Sequence, residues 1–447
     1  MRYIPITQAD KEAMLRDIGV NSTEELFAAN IPADVRLNRP LNLPEALTEM
    51  ELLAHIQEMT KVNVNAADYA YFLGGGVYDH YIPPVVDYFL QRGEFLTAYT
   101  PYQPEISQGV LQAIYEYQSL VCQLTGMDLS NASMYDGASA MAEAAGMVVS
   151  QTGRRKVVVA RSVHPEYRRT VQTYMNGIGV AVIEAPMKDG VVDLAELESL
   201  VTDEVAGVFI QQPNFLGHLE PVRAVDTLAH GKGAMYVVAV DPISLGLLEA
   251  PGNYGADIVV AEGQSLGNAM SYGGPALGIM ATRDKFARKI PGRIVGATLD
   301  NRGQRAFVLT LQAREQHIRR EKATSNICTN QALNALAATV YLSLTGKEGL
   351  REVANLCLQK AHYLAAEIAK LPGYAVAYQT PFFKEFTITG PQPAEQINKH
   401  LLSKKIMGGF ASSGDYPELT NAMTIAVTEK RTRAEIDQLV AALAEVK

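Results

Sequence analysis

Asp257-Ile-Val-Val-Ala-Glu-Gly-Gln-Ser-Leu-Gly-Asn-Ala-Met-Ser-Tyr-Gly-Gly-Pro275 is the stretch that decides the fold of this chain. Its first residues, 257–260, form an apolar run that predicts a buried strand, and Gly273 and Gly274 predict a turn after it. One strand earlier, Tyr236-Val-Val-Ala-Val-Asp241 ends in a carboxylate. Two such strands, each leading into polar residues, predict a parallel sheet with a site at the carboxyl ends of its strands.

Apolar runs recur on both sides of this stretch, with room for a helix between most of them. Near-continuous apolar strands joined by helices predict an α/β fold with a mostly parallel sheet covered by helices. The predicted strands are 156–160, 180–185, 206–211, 235–241 and 257–260. Further along, a long helix and shorter helices alternate with strands in the pattern of a smaller α+β domain. We therefore predict an N-terminal helical arm over 1–70, a large α/β domain over 71–325 and a small C-terminal domain over 326–447.

Three polar side chains, His164, Asn214 and Asp241, each follow a predicted strand. Right-handed crossovers bring the carboxyl ends of parallel strands to one edge of the sheet, so these side chains are expected to lie together. A single histidine after a strand is most often structural. Three polar groups on one edge favour a functional site instead.

A strand that ends in an aspartate, followed by a strand that leads into a polar turn before a Gly-Gly segment, is the layout of enzymes that hold pyridoxal phosphate. In such enzymes the aspartate pairs with the pyridinium nitrogen, and a lysine in the next turn forms a Schiff base. This chain has no lysine between Lys232 and Lys285. The framework is present and the nucleophile is missing, so no catalytic residue is predicted.

Small residues open the predicted helix that begins near Tyr135. Gly137, Ala138 and Ser139 would leave backbone N–H groups unpaired at the positive end of the helix, an arrangement that binds phosphate. A simple N-cap with close helix packing explains the same residues equally well. Both interpretations stay open at this point.

A loop over 97–109 carries Tyr99, Tyr102 and Gln103 and contains two prolines, Pro101 and Pro104. Proline restricts the backbone, so hydroxyl and amide groups are presented on a stiff segment. Such groups suit a buried polar pocket, which favours a functional loop. A surface loop with aromatic anchors is the alternative.

Composition excludes several kinds of partner. The formal net charge of −9 argues against nucleic acid and anionic membranes. No apolar run approaches the length of a membrane span, and the first residues do not resemble a secretory signal. Cys122, Cys328 and Cys357 are far apart, without metal-ligand spacing, so we expect no metal, free thiols and a cytoplasmic location.

Several segments together resemble one family over nearly the whole chain. The chain is similar to subunit 1 of the two-subunit glycine dehydrogenase (decarboxylating), the P-protein of the glycine cleavage system. The segments that carry the resemblance are Tyr71-Phe-Leu-Gly-Gly-Gly, Thr97-Ala-Tyr-Thr-Pro-Tyr-Gln-Pro-Glu, Tyr135-Asp-Gly-Ala-Ser and Gly263-Gln-Ser-Leu-Gly-Asn with Gly273-Gly-Pro. The resemblance implies the fold-type-I architecture of pyridoxal-phosphate enzymes.

The resemblance also assigns roles to residues. The family's Schiff-base lysine belongs to subunit 2, and its position falls here on Gln264 or Ser265. His164 matches the histidine that stacks on the cofactor ring, and Asp241 matches the pyridinium partner. Both are expected to be vestigial, together with the helix start at Gly137, Ala138 and Ser139. Asp241 is then expected to lie beside a backbone donor, solvent or a protein cation, because a buried unpaired carboxylate is costly.

The implied reaction needs partners. With subunit 2, in a heterodimer or a two-plus-two heterotetramer, the chain would decarboxylate glycine and pass the aminomethyl group to the lipoyl arm of H-protein. Pyridoxal phosphate is expected on the partner subunit and not on this chain. Tyr99, Tyr102 and Gln103 are then candidates for completing the partner's site across the interface. The alternatives are a purely non-catalytic scaffold that stabilises subunit 2 or docks H-protein and, less favoured, a self-sufficient enzyme with another nucleophile.

Overall fold

The computed structural model describes residues 5–327 and 329–446, so Cys328 lies outside the described residues. The chain divides into two compact units, Met1–Val64 and Asn65–Lys447. The first unit contains three helices, and each begins at a hydroxyl side chain that accepts a backbone N–H bond from the first turn. None of these helices has a buried residue. Local capping therefore specifies where these helices begin, and they do not pack around a buried core.

The second unit is built on a seven-stranded sheet of order β2-β10-β9-β8-β7-β3-β4. The strands from β9 to β4 run parallel, and β10 and β2 add an antiparallel edge. This confirms the mostly parallel sheet. A separate four-stranded antiparallel sheet, of order β13-β14-β17-β16, lies in the C-terminal part of the chain. The domain boundaries at 70 and 325 remain a prediction.

The bounds of the elements are as follows. The helices are α1 (Gln8–Ile18), α2 (Thr23–Asn30), α3 (Glu49–Thr60), α4 (Pro84–Leu90), α5 (Gly93–Leu96), α6 (Gln108–Thr125), α7 (Gly137–Thr152), α8 (Pro165–Gly177), α9 (Leu194–Leu200), α10 (Val222–Gly231), α11 (Gln316–Arg319), α12 (Ala332–Ile368), α13 (Ala394–Ser403) and α14 (Arg433–Ala444). The strands are β1 (Ala70–Tyr71), β2 (Leu129–Ser130), β3 (Lys156–Ala160), β4 (Ala181–Ala185), β5 (Met187–Lys188), β6 (Val191–Val192), β7 (Val205–Gln212), β8 (Met235–Val240), β9 (Ile258–Glu262), β10 (Gly278–Thr282), β11 (Ile294–Leu299), β12 (Arg305–Thr310), β13 (Ala375–Val376), β14 (Glu385–Thr389), β15 (Ile406–Met407), β16 (Phe410–Ala411) and β17 (Ala422–Ala426).

Helix α7 packs against the sheet along most of its length. Its run of alanine, glycine and methionine places nearly every residue from Gly137 to Val149 in the interior. At Gly137 an added Cβ would lie 2.0 Å from the Tyr167 hydroxyl and 3.0 Å from the Glu262 backbone nitrogen. A glycine is required there because the start of the helix approaches β9 and α8 so closely. The small residues thus position the start of α7 at the edge where the strands end.

Among the described residues, Cys122 is a half-buried free thiol and Cys357 a buried one, in agreement with the expectation of free cysteines. No described helix combines the length and apolar character that crossing a bilayer requires.

One acidic side chain on α7 is buried with little compensation. Burial raises the pKa of Glu143 to about 7, against a smaller lowering effect of a hydrogen bond with Ser325. The folded state therefore favours the protonated acid. The contribution of this protonation to folding stability is fully present below pH ~4.5 and is lost as the pH rises through 7.

We expect Glu143→Gln to stabilise the protein above pH 7 by about 1–3 kcal/mol and to have little effect at pH 5, because the amide stays neutral. Thermal unfolding of both proteins between pH 5 and 9 measures the difference. Glu198→Gln, on an exposed residue, is the matched control. A stability difference between Glu143→Gln and wild type that stays constant with pH would contradict this assignment.

Candidate functional site

The structure brings His164, Asn214 and Asp241 into one crevice at the carboxyl ends of β3, β7 and β8. The crevice is also lined by Glu262 and by Ser265 from the turn after β9. The sequence prediction that the three polar groups share an edge is confirmed. A parallel sheet produces this convergence because its strands all end on the same side.

Asp241 is paired with a lysine from the C-terminal sheet region. Its Oδ2 lies 2.7 Å from Nζ of Lys384, whose side chain is 1% exposed. Its Oδ1 accepts the backbone N–H of Ile243 at 3.0 Å. The Lys384 ammonium also lies 3.5 Å from the centre of the Tyr78 ring. The expectation that Asp241 would lie beside a protein cation is confirmed.

The ion pair continues into a buried chain of hydrogen bonds. Lys384 Nζ donates to Nε2 of His80 at 3.0 Å, and Nδ1 of His80 donates to Glu429 at 2.6 Å. Burial and the Lys384 charge lower the pKa of His80, which keeps the ring neutral and able to accept from the lysine. Burial alone would raise the pKa of Glu429, but the hydrogen bonds from His80 and from the Tyr81 backbone lower it below its usual value. The Lys384 ammonium thus contacts the Asp241 carboxylate directly and is connected to the Glu429 carboxylate through His80.

His80, Cys357 and Glu429 offer ligand atoms within 4.8 Å of one another. Sequence spacing gave no sign of this group because the fold assembles it from distant segments. The Lys384 ammonium already occupies Nε2 of His80, and its positive charge opposes a second cation at this position. The cluster serves as part of the buried hydrogen-bond chain.

The start of α7 is occupied by a carboxylate. Glu262 Oε2 accepts the N–H of Gly137 at 3.1 Å, and Oε1 accepts the N–H groups of Gln264 at 3.0 Å and Leu277 at 2.8 Å. Asp136 caps the helix by accepting the N–H of Ser139 at 2.7 Å. The predicted helix start at Gly137, Ala138 and Ser139 is therefore present, with both an N-cap and an anion from within the chain.

The His164 ring stacks on a neighbouring side chain. The Tyr167 ring lies 4.9 Å away at an angle of 19°. Nε2 of His164 donates to the carbonyl of Gly75 at 2.9 Å, and Nδ1 accepts the N–H of Glu166 at 3.1 Å. Burial lowers the pKa of His164, which agrees with a neutral ring in this hydrogen-bond pattern.

The two positions expected for the family's lysine are both interior. Gln264 accepts the N–H of Tyr78 at 3.0 Å and donates to the carbonyl of Asn268 at 2.7 Å. Ser265 is buried, and its hydroxyl has no hydrogen-bond partner among the described residues. The cavity beside it has a volume of about 30 Å³, enough for a water molecule or two. A second cavity, of about 360 Å³, shares His164, Tyr167 and Glu262 with the first and is also lined by Gly137 and Ala138.

These residues do not fit pyridoxal phosphate. The turn after β9 carries no lysine for a Schiff base, the aspartate is already neutralised by Lys384, and Glu262 accepts the N–H of Gly137 at the helix start. The sequence did not single out Lys384, Glu262 or Tyr167. The only local signal was a lysine directly before an apolar strand, which is common and carries no information about its partner.

The loop with Tyr99, Tyr102 and Gln103 is separate from this crevice. Tyr99 is 95% exposed and Gln103 is exposed. Tyr102 instead donates from its hydroxyl to Oδ1 of Asn330 at 2.9 Å, and the guanidinium of Arg293 lies over its ring. The contribution of these three side chains to the partner's site stays a prediction. Helix α6 begins at Gln108, after Pro104 and the turn that follows it.

Comparisons with known proteins agree with these features. A family model described as "Glycine cleavage system P-protein" matches residues 1–443. The "Probable glycine dehydrogenase (decarboxylating) subunit 1" of Carboxydothermus hydrogenoformans is 56% identical over 443 residues, which is 99% of each chain. The protein of the same name from Desulforamulus reducens is 54% identical over 446 residues, which is 100% of each chain.

Solved structures lead to the same family. A crystal structure of glycine decarboxylase (P-protein) of the glycine cleavage system, in inhibitor-bound form, superposes with a TM-score of 0.93 at 45% identity and covers 100% of both chains. A sphingosine-1-phosphate lyase of Burkholderia pseudomallei shares the fold alone, with a TM-score of 0.65 at 15% identity over 94% of this chain and 93% of that one. The chain therefore belongs to the glycine cleavage system P-protein family, within the fold-type-I architecture of pyridoxal-phosphate enzymes.

Proposed function

We propose that this chain is subunit 1 of a two-subunit glycine dehydrogenase (decarboxylating) and that a second subunit holds the pyridoxal phosphate. One observation supports the assignment of the cofactor to the partner: the crevice of this chain has no lysine in the expected turn, and its own side chains pair with Asp241 and with the N–H of Gly137. The names of the relatives support the assignment to subunit 1. The heteromer would decarboxylate glycine and transfer the aminomethyl group to the lipoyl arm of H-protein.

The exposed loop is the part of this chain proposed to complete the partner's site. Tyr102 anchors the loop through Asn330, whose side-chain amide donates to the Ala132 carbonyl and the Ser133 hydroxyl, both at 3.0 Å. Tyr99 and Gln103 point away from this anchor, because both are exposed. A fixed loop that presents a free phenol and an amide is suited to hydrogen bonding with a charged group on another subunit.

A purely structural role is the second candidate, and the helical arm favours it. Helix α3 exposes Met50, Leu53 and Ile56, with exposed fractions of 78%, 55% and 47%. Apolar side chains on a helix without buried residues suit packing on a partner subunit. An arm of this kind would stabilise a heteromer whether or not the loop over 97–109 reaches the partner's site. Kinetics of loop variants separates the two roles.

For the cofactor, we expect the chain purified alone to show no aldimine absorbance and no adduct after borohydride reduction. The heteromer should contain one pyridoxal phosphate for each pair of subunits, all of it on subunit 2. Absorption spectra and peptide mass spectrometry after reduction measure both quantities. A reduced adduct on any lysine of this chain in stoichiometric amount would refute the proposal.

For the loop, we expect Tyr99→Phe to lower kcat/KM of the heteromer about 10- to 100-fold, because a hydrogen bond to a charged group is worth roughly 1.5–3 kcal/mol. Size measurement should show intact assembly. Tyr88→Phe, on another exposed tyrosine outside the loop, is the control and should leave turnover unchanged. Unaltered kinetics in both Tyr99→Phe and Tyr102→Phe would leave the scaffold role as the better explanation.

For the missing nucleophile, we expect Ser265→Lys or Gln264→Lys alone to restore neither cofactor binding nor activity in this chain. Lys384 would still neutralise Asp241, and Glu262 would still occupy the start of α7. Borohydride trapping of each variant, compared with wild type, provides the measurement. An active homomeric decarboxylase produced by either change would show that the crevice had kept the geometry of a cofactor site.

A further inference from the structure

Three side chains of this chain occupy the recognition points that the fold family uses for its cofactor. We infer that Lys384, Glu262 and Tyr167 form an internal substitute for the contacts of a bound cofactor, so that Asp241, Gly137 and His164 have partners without a ligand. The inference concerns the folded state of this chain and does not depend on which subunit performs the reaction.

The cationic part of the substitute is Lys384. A carboxylate at the end of β8 needs a positive partner, because a buried unpaired charge destabilises the fold strongly. In the fold family a pyridinium nitrogen provides that partner. Here an ammonium lies 2.7 Å from Asp241 and is held from its other side by His80 at 3.0 Å. The aspartate therefore keeps its charge balance with no ligand bound.

The anionic part is Glu262. Its two carboxylate oxygens accept three backbone N–H groups, from Gly137, Gln264 and Leu277. A phosphate group would use its oxygens on N–H groups of this kind at a helix start. Burial is the main effect on the pKa of Glu262 and raises it, whereas the three backbone hydrogen bonds oppose the shift. The N–H of Gly137 already donates to Glu262 and is therefore not available to an external anion.

The aromatic part is Tyr167. Its ring stacks on the His164 ring, and the resemblance matches this histidine to the one that stacks on the cofactor ring. The tyrosine hydroxyl reaches the start of α7, where a Cβ on Gly137 would lie 2.0 Å from it. Tyr167, Lys384 and Glu262 line the same small cavity. The phenol ring therefore lies beside both the cationic and the anionic parts.

The first test is a double-mutant cycle on Lys384→Met and Asp241→Asn in the heteromer with subunit 2, read by hydrogen exchange of peptides from this chain. Each single change leaves a buried group without its partner, so amide exchange in 236–246 should become at least about tenfold faster. The double variant should recover most of the protection. Lys156→Met, which removes an exposed ion pair with Glu204, is the control and should change exchange less than twofold. Single variants with unchanged amide exchange in 236–246, or a double variant that is no better protected from exchange than the single variants, would overturn the role of Lys384.

The second test uses inorganic phosphate as the probe. Glu262→Ala should expose three N–H groups and speed exchange around Gly137 and in 263–268, and millimolar phosphate should restore protection in this variant alone. Protection of the wild-type protein by phosphate, or failure of phosphate to protect Glu262→Ala, would overturn the role of Glu262. Neither readout uses catalysis, so either inference can fail independently of glycine decarboxylation by the wild-type heteromer.

Discussion

The buried ion pair between Asp241 and Lys384 determines what the crevice of this chain can be. The carboxylate belongs to the large parallel sheet, and the ammonium comes from the start of β14 in the C-terminal sheet. The pair therefore joins two sheets as well as two charges. Because the ammonium also contacts His80 and, through it, Glu429, the ion pair is part of a continuous buried hydrogen-bond network.

The backbone around the pair is fitted to this arrangement. The segment before β14 runs along the turn after β7, where Phe383 donates to the Gly217 carbonyl at 3.2 Å and Leu219 donates to the Pro381 carbonyl at 2.8 Å. At Gly217, whose φ is +92°, an added Cβ would lie 1.9 Å from the backbone oxygen of Glu385. Only glycine permits this approach. The position of Lys384 is thus set by main-chain contacts, and the lysine does not reach the aspartate by side-chain flexibility alone.

Much of this region was predictable from the sequence because the signals are local. The apolar strands, the helix start at Gly137 and the polar residues after strands are readable over a few neighbours, and parallel topology then brings His164 and Asp241 together. Lys384 was not predictable, since its partner lies far away in the chain and the residues around it indicate only a strand. The hairpin of β11 and β12 was missed for another reason: β11 is mostly exposed beyond Val295, so its apolar pattern is weak.

The loop shows a related limit of sequence reasoning. Tyr99, Tyr102 and Gln103 were grouped because they share a stiff segment, yet Tyr102 turns inward to Asn330 while Tyr99 is almost fully exposed. Composition indicates that a segment is polar and rigid, but only tertiary contacts decide which of its side chains face the protein.

The loss of the Schiff-base lysine alone would leave a cofactor crevice with several groups that have no partner. Removal of the Schiff-base residue would leave a buried aspartate, a row of unpaired N–H groups and an empty ring-sized space, and each of these destabilises the fold. In this chain Lys384 pairs with the aspartate, Glu262 accepts the N–H of Gly137, and Tyr167 stacks on His164. The absence of the lysine is visible in the sequence, whereas these pairings are seen only in the structure. Because Asp241 and Gly137 already have partners within the chain, the contribution that we propose to the partner's site comes from the exposed loop outside the crevice.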